Sequence, residues 1–322
     1  MATALATLMS LPSIALAQHP SPVDRLVRLQ AALGEKCPKL LAKRDDLLSF
    51  GVGGNKVRKM QMVAAEAMAA GADTLVTCGG VQSNHARVTA AAGAALGLRV
   101  VLVLNGVPPA HAVGNHRLDL LFGAELVFVG TREERAPAME AIAEERRRAG
   151  GRPFIVPLGA SNATGALGFA RGVTELSTSG IRPDVIIHAT SSGGTQAGLI
   201  AGTSLVGVRP RIIGVSADDP ADALTRTIHA LLGDMAAAIG AKAETIGLDR
   251  TVEVDDREVG SGYGAPTQAS VEAAELVART EGIVLDQTYT AKAMAGLIAR
   301  VRSGEFTPNQ TVLFWHTGGV LT

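Results

Sequence analysis

The sequence predicts an α/β protein built on open, doubly wound, mostly parallel sheets. Three observations carry this expectation. Short runs rich in Val, Ile and Leu recur from about residue 40 onward with little in–out alternation, as expected of strands covered on both faces. Segments with an apolar period near 3.6 residues lie between them. The two kinds alternate as strand–helix–strand units. The candidate strands are residues 40–43, 74–77, 99–104, 126–129, 154–156, 185–189, 211–215 and 311–315.

The first clear helix is expected over 57–71, where Met60, Val63, Ala64, Ala67 and Met68 line one face. Gly71 closes it, and Asp73 precedes the next strand. A second helix is expected over 84–97, and its Ala-rich stretch suits close packing. The charge-dense stretch from Arg132 to Arg148 is expected to be a solvated helix face with i,i+4 pairs, a docking surface being the alternative. A length of 322 residues suggests two domains. Residues 54–156 are expected to form a smaller α/β domain, with 1–53 and 157–322 making a larger, discontinuous one. A cleft between two such lobes is a usual ligand site. Residues 1–17 are uncharged and end in Ala15-Leu16-Ala17, which resembles a signal-peptidase site. They lack a positive n-region and Pro12 interrupts the apolar run, so an arm folded onto the body is expected instead.

Composition narrows the function classes. Thirty basic and thirty acidic residues cancel, which argues against a nucleic-acid footprint. Aromatics are only 3%, too few for base-stacking platforms. Hydrophobic residues at 47% exclude a disordered chain. No uncharged apolar run is long enough for a membrane helix. Cys37 and Cys78 make no disulfide framework and no zinc site, and are expected to be buried thiols in a reducing cytoplasm.

Five segments carry candidate chemistry. Gly53-Gly54-Asn55-Lys56-Val57-Arg58-Lys59 places two glycines before a helix, with Lys56 and Lys59 about one turn apart. One lysine could bond a carbonyl while the other holds a phosphate; a plain turn with solvated lysines is the alternative. The Walker spacing is absent. Gly79-Gly80-Val81-Gln82-Ser83-Asn84-His85 follows a strand and opens a helix, so its polar groups sit at a strand's carboxyl end. Ser83 or Asn84 could equally be an N-cap, and His85 an acid or base or a core residue. Ser191-Ser192-Gly193-Gly194-Thr195 also lies between strand and helix, and such turns cradle anions on backbone N–H groups. None of the three glycine clusters reads GxGxxG, so a simple phosphate ester is favoured over a dinucleotide. Tyr263 and Tyr289, the only tyrosines, lie in turn-like settings suited to stacking and acid–base work. His316-Thr317-Gly318-Gly319 follows the last strand.

Together the GGNKVRK, GGVQSNH and SSGGTQAG segments, with HTGG near the end, resemble the pyridoxal-phosphate enzymes of the ACC deaminase/D-cysteine desulfhydrase family, within the tryptophan synthase β-like, fold type II group. The resemblance runs over nearly the whole chain. It implies two α/β domains with pyridoxal 5'-phosphate in the cleft between them. It also implies that Lys56 forms the covalent link to the cofactor. Lys59 and the loop Ser192, Gly193, Gly194 and Thr195 would hold the phosphate, and Asn84 would bond the 3′-oxygen. Tyr289 would stack near the pyridine ring, with Thr317 beside its nitrogen. Ser83, Asn84, His85, Tyr263 and Thr290 would meet the substrate. Ser83, Tyr263 and Tyr289 would join Lys56 in catalysis. No metal is implied, and a homodimer is usual.

ACC deaminases usually carry Glu where this chain has Thr290 and Leu where it has Thr317. The desulfhydrase-like branch carries hydroxyl residues there. The resemblance therefore implies β-elimination on a small amino acid, with D-cysteine giving pyruvate, ammonia and hydrogen sulfide. Alternatives are L-cysteate losing sulfite, ACC deamination, and a non-catalytic phosphate-ligand binding protein. An NAD oxidoreductase would need the missing fingerprint.

Overall fold

The Val- and Ile-rich runs assemble into two separate sheets in the computed structural model, which describes residues 2–319. The strands are β1 (Val23–Arg25), β2 (Lys39–Arg44), β3 (Thr74–Gly80), β4 (Arg99–Asn105), β5 (Glu125–Val129), β6 (Pro153–Ile155), β7 (Val185–Thr190), β8 (Arg211–Ser216), β9 (Glu253–Asp255) and β10 (Thr311–His316). Six form one sheet in the order β1-β2-β10-β7-β8-β9, and four form the other in the order β5-β4-β3-β6. All pairings are parallel except β1 with β2. Register across the larger sheet aligns apolar side chains, as in Phe314 with Ile187 and Ile187 with Ile213. Two apolar clusters pack on opposite faces of that sheet, one around Phe169 and Trp315, the other around Phe314 and Leu297. The smaller sheet is covered likewise, by Met60 and Val88 on one face and Met139 on the other.

Strand order explains where a ligand can sit. In the smaller sheet the chain runs β3-β4-β5 outward and then returns to place β6 on the other side of β3. In the larger sheet it runs β7-β8-β9 outward and returns to place β10 on the other side of β7. Each reversal opens a crevice at the carboxyl ends of the flanking strands. The two crevices face one another.

Two strands escaped the sequence reading. Val23–Arg25 and Glu253–Asp255 are three-residue edge strands carrying charges, without the apolar run that marks the others. The helix expected over 57–71 covers Asn55–Ala69, starting two residues earlier where Asn55 is held by polar contacts to Thr317 and Thr195. The one expected over 84–97 is Asn84–Leu96, closed by Gly97 in the left-handed region at φ 70°. The residues before β1 pack on the body as an arm: a helix at Ala2–Ser10 buries Leu8, and Arg171 donates to the carbonyls of Leu8, Met9 and Leu11. Met1 and residues 320–322, the ends of the expected larger domain, lie outside the described residues. Among the described residues no helix is long and apolar enough to cross a membrane. Cys37 and Cys78 are free and buried, and burial pushes the Cys37 thiol up to about 11.

Candidate active site

A cavity of about 380 Å³ lies where the two crevices meet, walled by the turns after β3, β6, β7 and β10 and by Tyr263 and Tyr289. Lys56 reaches it from the first turn of Asn55–Ala69. Two glycines make that placement possible. A Cβ on Gly54 would meet the Thr317 carbonyl at 2.9 Å, and one on Gly318 would meet the Gly54 Cα at 2.5 Å. The backbones of Gly54 and Gly318 thus pack directly, which only glycine permits. The helix start is fixed by Asn55, whose backbone N–H donates to the Thr317 carbonyl (2.9 Å) and whose side chain donates to Thr195 Oγ1 (2.8 Å). Burial lowers Lys56 from its ordinary value to about 8.

Beneath the cavity lies a second ammonium. Lys59 is fully buried and donates to the Gly159 carbonyl (3.2 Å) and Ser161 Oγ (3.0 Å). Among the described residues it has no carboxylate partner. Burial and the charge of Lys56 hold it well below the ordinary lysine range. Ser161 Oγ bonds Ser192 Oγ at 2.7 Å, and a Cβ on Gly194 would lie 2.8 Å from Lys59 Nζ. Gly193 sits at φ 76° and precedes the helix Gly194–Leu205, which begins beside this spot. A buried, unpaired cation beside hydroxyls and a glycine-led helix N-terminus is a site for a multiply charged oxyanion. Lys59 and Gly194 belong to its floor rather than to the cavity lining.

The other predicted residues divide. Ser83 caps its helix by accepting the Ala86 N–H (3.2 Å) and also lines the cavity. Asn84, His85, Ser192, Gly193, Thr195 and Thr317 line it too. His85 is buried, with Nε2 at 2.7 Å from Thr77 Oγ1. The Thr77 hydroxyl donates to the Val156 carbonyl (2.7 Å), so His85 Nε2 carries the proton and donates. Burial, then the charges of Lys56 and Lys59, hold His85 well below its ordinary value, so it is neutral. Tyr263 and Tyr289 share a hydroxyl–hydroxyl bond of 2.6 Å, with rings edge-on at 5.8 Å. Burial raises both phenols, so each keeps its proton at neutral pH. Thr290 does not reach the cavity. It is fully buried, and its hydroxyl donates to Asp286 Oδ1 (2.7 Å) and accepts the Asp286 N–H (2.9 Å).

The charge run between 132 and 148 splits. Glu144 pairs with Arg147 and Arg148 on an exposed face, as expected. Arg132, Glu133 and Arg135 instead line the cavity. Arg132 pairs with Asp218 (3.2 Å), which follows β8, and lies 5.2 Å over the Tyr263 ring. That correction has a topological cause: the run begins just past the carboxyl end of β5. Gly159, Ser161 and Thr190 were also missed. Their signal was position at or just past the ends of the candidate strands 154–156 and 185–189, in segments that carry no motif of their own. Among the described residues, no cluster of three His, Cys, Asp or Glu side chains is placed to hold a metal ion.

The donor set suits a molecule bearing both a carbonyl and a phosphate ester, with Lys56 at one end and the Lys59 cradle near the other. Residues 14–318 match the family described as pyridoxal-phosphate dependent enzyme. The chain is 38% identical to a 1-aminocyclopropane-1-carboxylate deaminase of Burkholderia cenocepacia, over 96% of this chain and 94% of that one. It is 35% identical to a D-cysteine desulfhydrase of Klebsiella pneumoniae, over 98% of this chain and 96% of that one. A crystal structure of an ACC deaminase homologue superposes with a TM-score of 0.90 at 34% identity, covering 99% of this chain and 95% of that one. A threonine deaminase structure shares the fold at a TM-score of 0.70 and 20% identity, covering 99% and 97%. With the lysine, the anion cradle and the crossed switch points in place, the chain belongs to the pyridoxal-phosphate-dependent enzyme family.

Proposed function

We propose that the protein is a lyase that eliminates the β-substituent of a small amino acid, with D-cysteine yielding pyruvate, ammonia and hydrogen sulfide. The observation that carries this is Lys56, an amine lowered to about 8 at the junction of the two crevices, beside the anion cradle of Lys59, Ser192 and Thr195. Pyridoxal phosphate, when bound, supplies the electron sink that makes a Cα–H bond acidic. The residues do the rest. Lys59, Ser192, Gly193, Gly194 and Thr195 would hold the phosphate, and Asn84 would bond the 3′-oxygen. Lys56 Nζ would hold the cofactor covalently and, as a free amine, would take the proton from Cα. The Cβ–S bond then breaks with its electron pair going to sulfur. The Tyr263–Tyr289 hydroxyl pair holds a proton at neutral pH and can deliver it there. Water then converts the three-carbon enamine to pyruvate and ammonia, so D-cysteine and water balance the three products. Ser83 and His85 face the substrate carboxylate.

Thr290 and Thr317, where ACC deaminases usually carry Glu and Leu, support elimination over ring opening, because neither hydroxyl would favour protonation of the pyridine nitrogen. A second reading, sulfite loss from L-cysteate, is favoured by Arg132 and Arg135, cavity-lining cations that suit a sulfonate. Buried free thiols support a reducing, cytoplasmic setting, and the family resemblance supports a homodimer.

The test is a product assay on D-cysteine, L-cysteine, β-chloro-D-alanine, L-cysteate and ACC. Sulfide with pyruvate from D-cysteine is expected. Sulfite from L-cysteate keeps the mechanism and changes the substrate, and 2-oxobutyrate from ACC overturns the role given to Thr317. A second expectation concerns pH. A lysine at about 8 is about one-tenth neutral at pH 7 and nine-tenths neutral at pH 9. Uptake of pyridoxal phosphate by the cofactor-free protein should therefore accelerate about tenfold across that range, followed by absorbance. A rise of about a hundredfold, as a lysine at its ordinary value would give, contradicts the lowered lysine.

A further inference from the structure

Behind the cavity wall a chain of side-chain amides leaves no freedom of orientation. Arg87 is fully buried and donates from Nη1 to Asn115 Oδ1 (3.1 Å) and from Nη2 to the Gly53 carbonyl (2.8 Å). Asn115 is itself buried, and its Nδ2 donates to the Gln82 backbone carbonyl (2.8 Å) and to Asn84 Oδ1 (2.9 Å). An arginine has only donors and a backbone carbonyl only accepts. Each of these two partners independently fixes which end of the Asn115 amide is oxygen and which is nitrogen. Asn84 must then turn its oxygen to Asn115 and its Nδ2 to the other side, where it lines the cavity.

We infer that Asn115 is a positioning residue which, held by Arg87, orients the Asn84 amide so that it presents a hydrogen-bond donor to the 3′-oxygen of the cofactor. The inference rests on the reading above and deepens it. Unaided, an asparagine amide can present either its donor or its acceptor. Only the donor attracts an electron-rich oxygen, and the acceptor repels it. The same guanidinium grips Gly53, three residues before Lys56, so one buried cation registers the lysine turn and the amide together. The opposite charges acting on Arg87 come from Asp119, one helical turn after Asn115, and from Asp286.

Asn115→Asp separates orientation from packing, since the carboxylate has nearly the same shape and still accepts from Arg87. Its second oxygen cannot donate to Asn84 Oδ1, so Asn84 turns over and faces the cofactor with its own oxygen. The affinity for pyridoxal phosphate, measured by fluorescence titration of the cofactor-free protein, should fall about tenfold or more. The absorption maximum of the bound cofactor and its pH midpoint should shift. In an Asn84→Ala background, Asn115→Asp should change neither further. Asn115→Ala, with thermal unfolding of the cofactor-free protein, serves as a second variant should the carboxylate disturb folding. Wild-type affinity and spectrum in both Asn115 variants would overturn the inference. So would an effect equally large without the Asn84 amide. A wild-type protein that takes up no pyridoxal phosphate would instead overturn the functional reading, and this inference with it.

Discussion

Replacing Lys56 by alanine is expected to lower kcat/KM for the preferred substrate by about 10³-fold or more while leaving the fold intact. The variant loses two functions at once. It cannot bond the cofactor covalently, and no amine remains to take the proton from Cα. Lys59 does not substitute: it lies under the floor, donating to Gly159 and Ser161. Nor does His85, whose basicity burial and the charges of Lys56 and Lys59 hold far down. The phosphate cradle survives in the variant, so pyridoxal phosphate should still bind without the imine absorbance. Steady-state kinetics with absorbance spectra check both parts. Activity above a tenth of wild type would place the base elsewhere.

The largest expected stability effect lies behind the site, at Asp45. This carboxylate is fully buried and accepts from Arg58 Nε (2.8 Å) and Nη2 (2.7 Å), from Ser21 Oγ (2.8 Å) and from Trp315 Nε1 (2.7 Å). Arg58 also pairs with Glu175 at 2.8 Å, and Lys43 pairs with the same glutamate. These cations hold Glu175 well below the usual carboxylate range. The network ties the Lys56 helix to β10 and to the segment before β1. Asp45→Ala leaves a buried guanidinium half unpaired and an indole N–H without its partner, which costs about 3–5 kcal/mol. Calorimetry should show Tm falling by about 10 °C. A fall under about 2 °C would mean that water or Glu175 replaces Asp45 readily.

The fold was legible because parallel strands announce themselves as apolar runs, and eight of those runs lie on strands. The short edge strands Val23–Arg25 and Glu253–Asp255 did not, since pairing with one neighbour demands little apolar character. Site segments led by glycine were legible because close backbone approach excludes other residues, as at Gly54 and Gly318. Residues placed by topology alone were not. Arg132 and Arg135 look like part of a solvated charge run until strand order puts the end of β5 beside the crevice. Thr290 shows the opposite error: it sits next to a cavity tyrosine in sequence, yet the helix start turns it to Asp286. Orientation within a hydrogen-bond chain, as at Asn115, has no sequence signal, because the residues come from separate elements.

The central claim is that one particular lysine carries the cofactor. Loading the protein with pyridoxal phosphate, reducing it with borohydride and locating the label by peptide mass spectrometry tests this directly. The label should fall on Lys56, and Lys56→Ala should abolish it. A label on Lys59 or any other lysine, or no label on a protein that absorbs no visible light after loading, would contradict the account.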